Sequence, residues 1–332
     1  MASIQTTMQA IRIYETGDPE VMRLEEVATP TPGQGEVLIK IAAAGINYAD
    51  LAQRQGAYLT RTRTPMTLGF EAAGTVAALG PGVTLPAVGT RVSAFVNGAY
   101  AEYAIASAAS LIPIPEWLDF ARAAAFPVQG LTAYQILHDS GRLQEGESVL
   151  VHAAAGGVGT LAIQIARLLG AAKVIGTASN TQKLDLVRSL GADVAIDYTQ
   201  DDWMEQVKQA TDGKGVDIVL EMVGGKVAEQ SLSCLAPFGR MVVFGAASGE
   251  ALRLTATQLM YKNLSVTGYW LSALMNYPER IAVSMVGLMQ FIALGKLQII
   301  VGQTFPLAEA AAAHQAIANR TTTGKVVLLV NA

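Results

Sequence analysis

From residue 148 onward the chain alternates short apolar runs with amphipathic stretches. SVLVHAA (148–154), KVIGTAS (173–179), ADVAIDY (192–198), VDIVLEMVG (216–224), RMVVFGA (240–246) and LSVTGYW (264–270) read as strands. Between the first four lie GGVGTLAIQIARLLG (156–170), TQKLDLVRSLG (181–191) and DDWMEQVKQAT (201–211), which read as helices; Gly170 and Gly191 close the first two. Apolar strands alternating with helices predict a parallel sheet covered on both faces, the doubly wound α/β arrangement.

The first third has a different grain. EVLIKIAAAGI (36–46) begins as a strand, and EAAGTVAALG (71–80) and TRVSAFV (90–96) read as short strands separated by Gly and Pro turns. Pro30, Pro32, Pro81, Pro86, Pro113 and Pro115 disfavour helix throughout this region. Residues 121–141 have helical composition and end at Gly141. The tail breaks the strand–helix rhythm, with a long helix at 279–295, strand-like KLQIIVGQTF (296–305), a helix at 307–320 and a last strand, GKVVLLV (324–330). It is expected to return to the first domain. The predicted organisation is a β-rich domain of residues 1–123 and 270–332, with a doubly wound domain of residues 124–269 inserted into it.

A length of 332 residues supports two domains with cores of their own. Charged residues are only 15% against 51% hydrophobic, which excludes a disordered chain. The net charge of −4 comes without any basic block, so nucleic acid is not an expected partner. Cys234 is the only cysteine, which rules out an intrachain disulfide and a four-cysteine zinc site and fits a reducing compartment. The opening MASIQTTMQAIRIYE lacks a basic stretch followed by an apolar run, so the expected location is cytoplasmic. Residues 149–166 carry no formal charge, but Gly156, Gly157, Gly159, His152 and Gln164 and a strand-like first half argue against a membrane span.

Chemistry concentrates first in AAAGGVGTLA (153–162). Gly157, Gly159 and Ala162 fit G-x-G-x-x-A, placed after a strand and opening a helix. The first glycine permits the tight turn, the second lets backbone approach a pyrophosphate, and Ala162 lets helix pack on strand. The helix start then offers free N–H groups to phosphate. The alternative is a purely structural turn. An NAD site places a carboxylate about 20 residues beyond the first glycine; here Thr177, Ala178, Ser179 and Asn180 stand there, with Lys183 one turn on. A hydroxyl, an amide and an ammonium suit the 2′-phosphate of NADPH. The alternative is that Ser179 or Asn180 caps the next helix and Lys183 is solvated.

With AAAGGVGT, the segments GLTAY (130–134), GINYAD (45–50), GFEAAG (69–74) and GKVVLLV give a chain-long set that resembles the medium-chain dehydrogenase/reductase superfamily, and within it the quinone oxidoreductase branch that includes zeta-crystallin. GINYADLAQRQGAY is also similar to the vesicle amine transport protein branch. The resemblance implies a Rossmann domain inserted between two parts of a GroES-like domain. It also implies a homodimer joined through an edge of the Rossmann sheet, which would place LSVTGYW at the interface. Zinc-containing relatives carry a ligand cysteine where this chain has Asn47 and a histidine where it has Phe70, and a further cysteine is replaced by Val128 or Gln129. His138, His152 and His314 do not form a ligand cluster by spacing, so no metal is expected. Without a Lewis acid, alcohol–ketone chemistry loses its usual means of polarising oxygen, and quinones or alkenes conjugated to a carbonyl are the expected acceptors.

By resemblance, Asn47 lies beside the nicotinamide and acceptor, and Thr132 contacts the cofactor. Gly156, Gly157, Val158 and Gly159 hold the pyrophosphate. Ser179, Asn180, Lys183 and Tyr198 take the adenine-ribose phosphate, Val223, Phe244 and Gly245 line the crevice, and Lys325 approaches the cofactor. Glu221 stands where a relative more often has Asp. Under a quinone reading, Asn47 with Tyr48 or Arg54 positions the carbonyl oxygens. Under a 2-alkenal or enoyl reductase reading, a proton must reach the α-carbon, and Tyr58 is placed to give it; the alternative for Tyr58 is an aromatic packed over the cleft. A third reading is a protein that binds NADPH without turnover.

Overall fold

The computed structural model describes residues 4–330. The chain divides into two compact units, one running to Val128 and resuming at Ile299, the other spanning Gln129–Gln298.

The first unit is built on a seven-stranded sheet. Its order is Val301–Pro306, Lys325–Leu329, Glu36–Ile46, Glu71–Leu79, Arg91–Phe95 and Ile112–Pro113, with Tyr103–Ser107 also paired to Glu36–Ile46. A smaller sheet joins Arg23–Ala28, Thr7–Ile13 and Met66–Thr67. The strand Glu36–Ile46 has apolar residues at most positions because consecutive side chains, which point to opposite faces of the sheet, are buried. Its Ile39 and Ile41 pack with Leu51, Val76, Val92, Tyr100 and Leu328 in one core. Each such aliphatic side chain, fully buried, contributes about 1.5–3 kcal/mol relative to exposure. The last strand pairs Val326 with Ile46 and Leu328 with Ala44, so the tail does return to the first unit.

The second unit holds a six-stranded parallel sheet in the order Val194–Asp197, Lys173–Ala178, Ser148–Val151, Val216–Glu221, Leu235–Val243 and Ser265–Gly268. Strand order reverses between Ser148–Val151 and Val216–Glu221, and ligands of doubly wound sheets bind at such a switch point, beyond the carboxyl ends of the strands. Leu150, Ile175, Trp203, Val219 and Met241 form the core beneath it.

Several boundaries differ from those read off the sequence. The helical stretch 121–141 is two helices, Phe120–Ala125 and Pro127–Gln135, followed by a π-helical turn at Ile136–Ser140. Pro127 cannot donate to the first helix, and its fixed φ suits the first position of a new one. The strand expected from residue 240 starts at Leu235 with a register irregularity that includes Phe238 at φ 64°. The chain rejoins the first unit at 299 where 270 was expected, and leaves it after 128 where 123 was expected. The reason is that the helix Pro278–Ala293 buries Leu288 and Ile292, and its Ser284 hydroxyl accepts a 3.1 Å bond from Gln135 within the second unit. Residues 149–166 are shared between the strand Ser148–Val151, the glycine turn and the helix Gly157–Leu168. Among the described residues no helix is long and apolar enough to cross a membrane.

Candidate functional site

In the second unit the glycine segment makes a tight turn with Ala153 at φ 48°, and Gly156, extended, precedes the helix Gly157–Leu168 without a side-chain cap. A Cβ on Gly159 would lie 2.4 Å from the Ala153 carbonyl oxygen and 2.6 Å from the Ala154 Cα, and both contacts are backbone. A Cβ on Gly157 would meet the Gln129 amide at 2.0 Å. The turn therefore requires glycine at 159, where the contacts are backbone, while at 157 a side chain would displace the Gln129 amide. Around Gly156, Gly157, Val158 and Gly159, the first-turn N–H groups have no side-chain cap, an arrangement that fits a pyrophosphate. Gln129, 8% exposed and packed over Gly157, belongs to this construction; from sequence it stood only as one of two positions where zinc-containing relatives have a cysteine, not as part of the turn.

Ser179 and Asn180 follow the strand Lys173–Ala178. Asn180 caps the next helix, its Oδ1 accepting the Lys183 N–H at 3.0 Å. The Tyr198 N–H donates to the Ala178 carbonyl at 3.1 Å, which brings Tyr198 beside Ser179 at the ends of adjacent parallel strands. On the neighbouring strand, Asp197 accepts from the Thr199 hydroxyl and N–H at 2.7 and 2.9 Å, bonds that hold its pKa down. At the switch point Val223, Phe244 and Gly245 follow their strands directly. Glu221 holds two of these positions: its carboxylate accepts the N–H groups of Val223 (2.7 Å) and Gly224 (3.1 Å), its backbone carbonyl accepts the Phe244 N–H at 2.9 Å, and burial pushes its pKa up. Thr132 is buried on the helix Pro127–Gln135. His152 is fixed between the Thr177 and Ser231 hydroxyls at 3.0 and 2.7 Å, and burial lowers its pKa to about 4, so it is a neutral structural group.

The first unit places Asn47, 5% exposed, immediately before the helix Tyr48–Gln55. Asp50 reaches back to accept the Asn47 N–H at 2.7 Å. The Asn47 carboxamide donates to Glu71 Oε1 at 3.0 Å and accepts from Lys325 Nζ at 2.7 Å, and Lys325 also lies 2.5 Å from Glu71. Lys325 is 1% exposed. Its ammonium is thus engaged by Asn47 and Glu71 within the first unit. Behind this cluster runs a buried chain: Tyr100 donates to Asp50 at 3.0 Å, pairs with His314 Nε2 at 3.0 Å, and His314 Nδ1 accepts from Arg54 at 3.3 Å. Arg54 is 1% exposed and also donates to the Gly17 carbonyl. It is therefore a structural group, and the expectation that it positions a substrate oxygen is corrected. Burial lowers the pKa of Arg54 and brings that of His314 to about 3. Asp50, Glu71 and Tyr100 are components the sequence reading missed; the first two sit inside GINYAD and GFEAAG, with no spacing that marks their meeting.

Tyr48 is exposed at the start of its helix. Tyr58 is half-buried with its ring 5.8 Å from that of Phe70. Beyond it, Thr60, Arg61, Thr62, Arg63 and Thr64 line an open cavity of about 620 Å³. Among the described residues neither Arg61 nor Arg63 forms an ion pair, and no three His, Cys, Asp or Glu side chains gather as a metal-ligand set.

Residues 33–116 match the alcohol dehydrogenase GroES-like domain, and residues 157–286 match the family described as zinc-binding dehydrogenase. The chain is 39% identical over 322 residues to a quinone oxidoreductase of Pseudomonas aeruginosa, covering 96% of this chain and 98% of that protein. It is 37% identical to a 2-haloacrylate reductase of a Burkholderia species, covering 98% and 100%. Among solved structures, Escherichia coli quinone oxidoreductase complexed with NADPH superposes with a TM-score of 0.91 at 35% identity, covering 97% of this chain and 99% of that one.

Proposed function

The chain belongs to the quinone oxidoreductase family of medium-chain dehydrogenases/reductases, and from that premise we propose that it is an NADPH-dependent reductase of a quinone, working without zinc. The observation that carries the cofactor assignment is the corner formed by Ser179, Asn180, Lys183 and Tyr198, which offers hydroxyls, an amide and an ammonium to a 2′-phosphate and no carboxylate at the end of its strand. Gly156, Gly157, Val158 and Gly159 hold the pyrophosphate, and Thr132, Val223, Phe244 and Gly245 line the nicotinamide end. When bound, NADPH supplies the hydride. The protein supplies orientation: Asn47 offers a carboxamide to an acceptor oxygen, and Tyr48 borders the acceptor. No strong acid is required, because a reduced quinone takes protons from water. Asn47 and Phe70 occupy the positions where zinc-containing relatives keep ligands, so the acceptor must be electron-poor on its own account.

The edge strand Ser265–Gly268, with Met260 and Tyr261 exposed at 74% and 85% beside it in sequence, is where we place a second copy of the chain in a homodimer. The compartment we propose is the cytoplasm, with neither membrane nor nucleic acid as partner.

A second reading, reduction of a conjugated alkene, draws support from Tyr58 and the loop after it. Tyr58 would give the α-carbon its proton, and Arg61 and Arg63 would suit an anionic acceptor such as a haloacrylate. The test is loss of NADPH absorbance with a benzoquinone, a 2-alkenal and an enoyl thioester, repeated with NADH. Turnover of quinone with preference for NADPH is expected. Alkene reduction alone, abolished by Tyr58→Phe, would replace the first reading with the second.

A further inference from the structure

Strand register alone brings three distant residues to one place. Val326 is paired with Ile46, so Lys325 falls beside Asn47. Ala72 is paired with Ala44, so Glu71 falls opposite Gly45. A Cβ on Gly45 would lie 2.7 Å from both Glu71 Oε1 and Lys325 Cε and 2.5 Å from the Ala124 carbonyl oxygen, so glycine there is what lets the cluster close. Glu71 is held on its other oxygen by the Val128 N–H at 2.8 Å.

We propose that Glu71 and Lys325 are positioning residues that fix the orientation of the Asn47 carboxamide, so that the group presents an N–H to the carbonyl oxygen of the acceptor. An ammonium only donates and a carboxylate only accepts. Lys325 therefore takes the Asn47 oxygen at 2.7 Å and Glu71 takes one of its two N–H hydrogens at 3.0 Å. The flipped amide would set donors against the ammonium and oxygen against the carboxylate. Both partners are buried, Lys325 at 1% and Glu71 at 0% exposure, so water does not blunt this selection. What Asn47 has left to give is its second N–H, a donor suited to a quinone or enone oxygen. The glutamate of GFE thus has a role that needs no neighbouring metal: it sets an amide.

The inference rests on the reading that Asn47 faces the acceptor, and the experiment separates the two. Asn47→Ala, Lys325→Met and the charge-free pair Glu71→Gln/Lys325→Met are compared with the parent for melting temperature, NADPH affinity by fluorescence titration, and kcat with a benzoquinone per NADPH-binding equivalent, which excludes unfolded protein from the rate. Lys325→Met should lower both the melting temperature and kcat, since it leaves Glu71 buried without its counter-charge. The pair should recover the melting temperature while kcat stays about 10- to 100-fold below the parent, the scale on which a misplaced group costs rate, with NADPH affinity unchanged. If kcat returns with the melting temperature, the charges serve stability alone and the inference falls. If Asn47→Ala keeps the parent kcat, the placement of Asn47 at the acceptor falls and takes the inference with it. If Asn47→Ala is slow while the charge-free pair is fast, only the positioning role is lost.

Discussion

The two units assemble their polar groups in opposite ways. In the second unit the groups proposed to hold the pyrophosphate are backbone N–H donors at the start of one helix, left uncapped and uncovered by Gly156, Gly157 and Gly159. In the other unit the polar atoms are side chains drawn inward: Asn47, Asp50, Glu71, Tyr100, His314 and Lys325 are all 5% exposed or less and bond to one another, with Asp50 Oδ1 left buried without a partner. The first arrangement asks for space and free N–H donors. The second asks for matched charges out of water, where removing one partner leaves another stranded.

The largest effect expected from breaking this contrast is at Gly159. Gly159→Ala adds a single methyl group, yet the atoms it meets, the Ala153 oxygen and Ala154 Cα, are backbone and cannot swing aside. Overpacking of this kind costs about 1–3 kcal/mol, and here the shift falls on the turn proposed to cradle the pyrophosphate. NADPH affinity measured by fluorescence titration should fall by about tenfold or more, while backbone hydrogen exchange in the other unit stays at the parent level. An unchanged affinity would mean that the turn tolerates a side chain and that its glycines are not the reason it binds.

The same contrast explains what could be read from the chain. The cofactor turn was legible because its parts are consecutive: a strand, a glycine segment and a helix within residues 148–168. The alternation of strands and helices after residue 148 was legible for the same reason. The buried cluster of the first unit was not, because Asn47, Glu71 and Lys325 meet only through the pairing of three strands. Resemblance supplied Asn47 and Lys325 but not the bonds that join them to Glu71, nor the burial that commits Arg54 to structure. Nothing in the spacing indicates that Arg54 is committed to His314 and Gly17. The late return to the first unit was missed because an apolar helix reads the same whichever core it joins.

A second, smaller effect is expected on acidification. His152 in the nucleotide unit has its pKa lowered by burial to about 4, from an ordinary 6.5. Its folded-state value lies below its unfolded value, so the stability it contributes is fully present above pH 6.5 and is lost as pH falls toward 4, at up to roughly 1 kcal/mol per pH unit. In the other unit His314, near 3, carries the same sign. Asp50 carries the opposite sign, because burial raises its pKa from 3.8 to about 7. Its contribution is fully present below pH 3.8 and lost as pH rises through 7. Between pH 6.5 and 4 the two terms offset one another in the first unit, whereas in the second Glu221, whose pKa burial also raises but less than that of Asp50, offsets His152 only in part. Hydrogen exchange followed from pH 7 to 4.5, corrected for intrinsic rates, should show protection falling faster in strands Ser148–Val151 and Lys173–Ala178 than in Glu36–Ile46. Equal loss in both would show that Asp50 does not titrate in this range.

The smallest effect sharpens the comparison at a single side chain. Asn180 does two things that its position at a strand end makes separable: its Oδ1 caps the helix Thr181–Ser189, and its place beside Ser179 puts it at the proposed 2′-phosphate. Asn180→Asp keeps the capping oxygen, and Asp caps as well as Asn. The substitution therefore leaves the helix intact while adding a negative charge where the phosphate is to sit. With the site partly exposed, the repulsion is screened and amounts to about 1 kcal/mol. The ratio of NADPH to NADH affinity should fall severalfold, with no loss of melting temperature, and the effect should shrink as salt is raised. Asn180→Ala supplies the converse, losing about 1 kcal/mol of stability with its cap and, with the amide gone but no charge added, a smaller part of its preference for NADPH. If Asn180→Asp leaves the ratio untouched at low salt, the residue is a helix cap alone, and selection of the phosphate falls to Ser179, Lys183 and Tyr198.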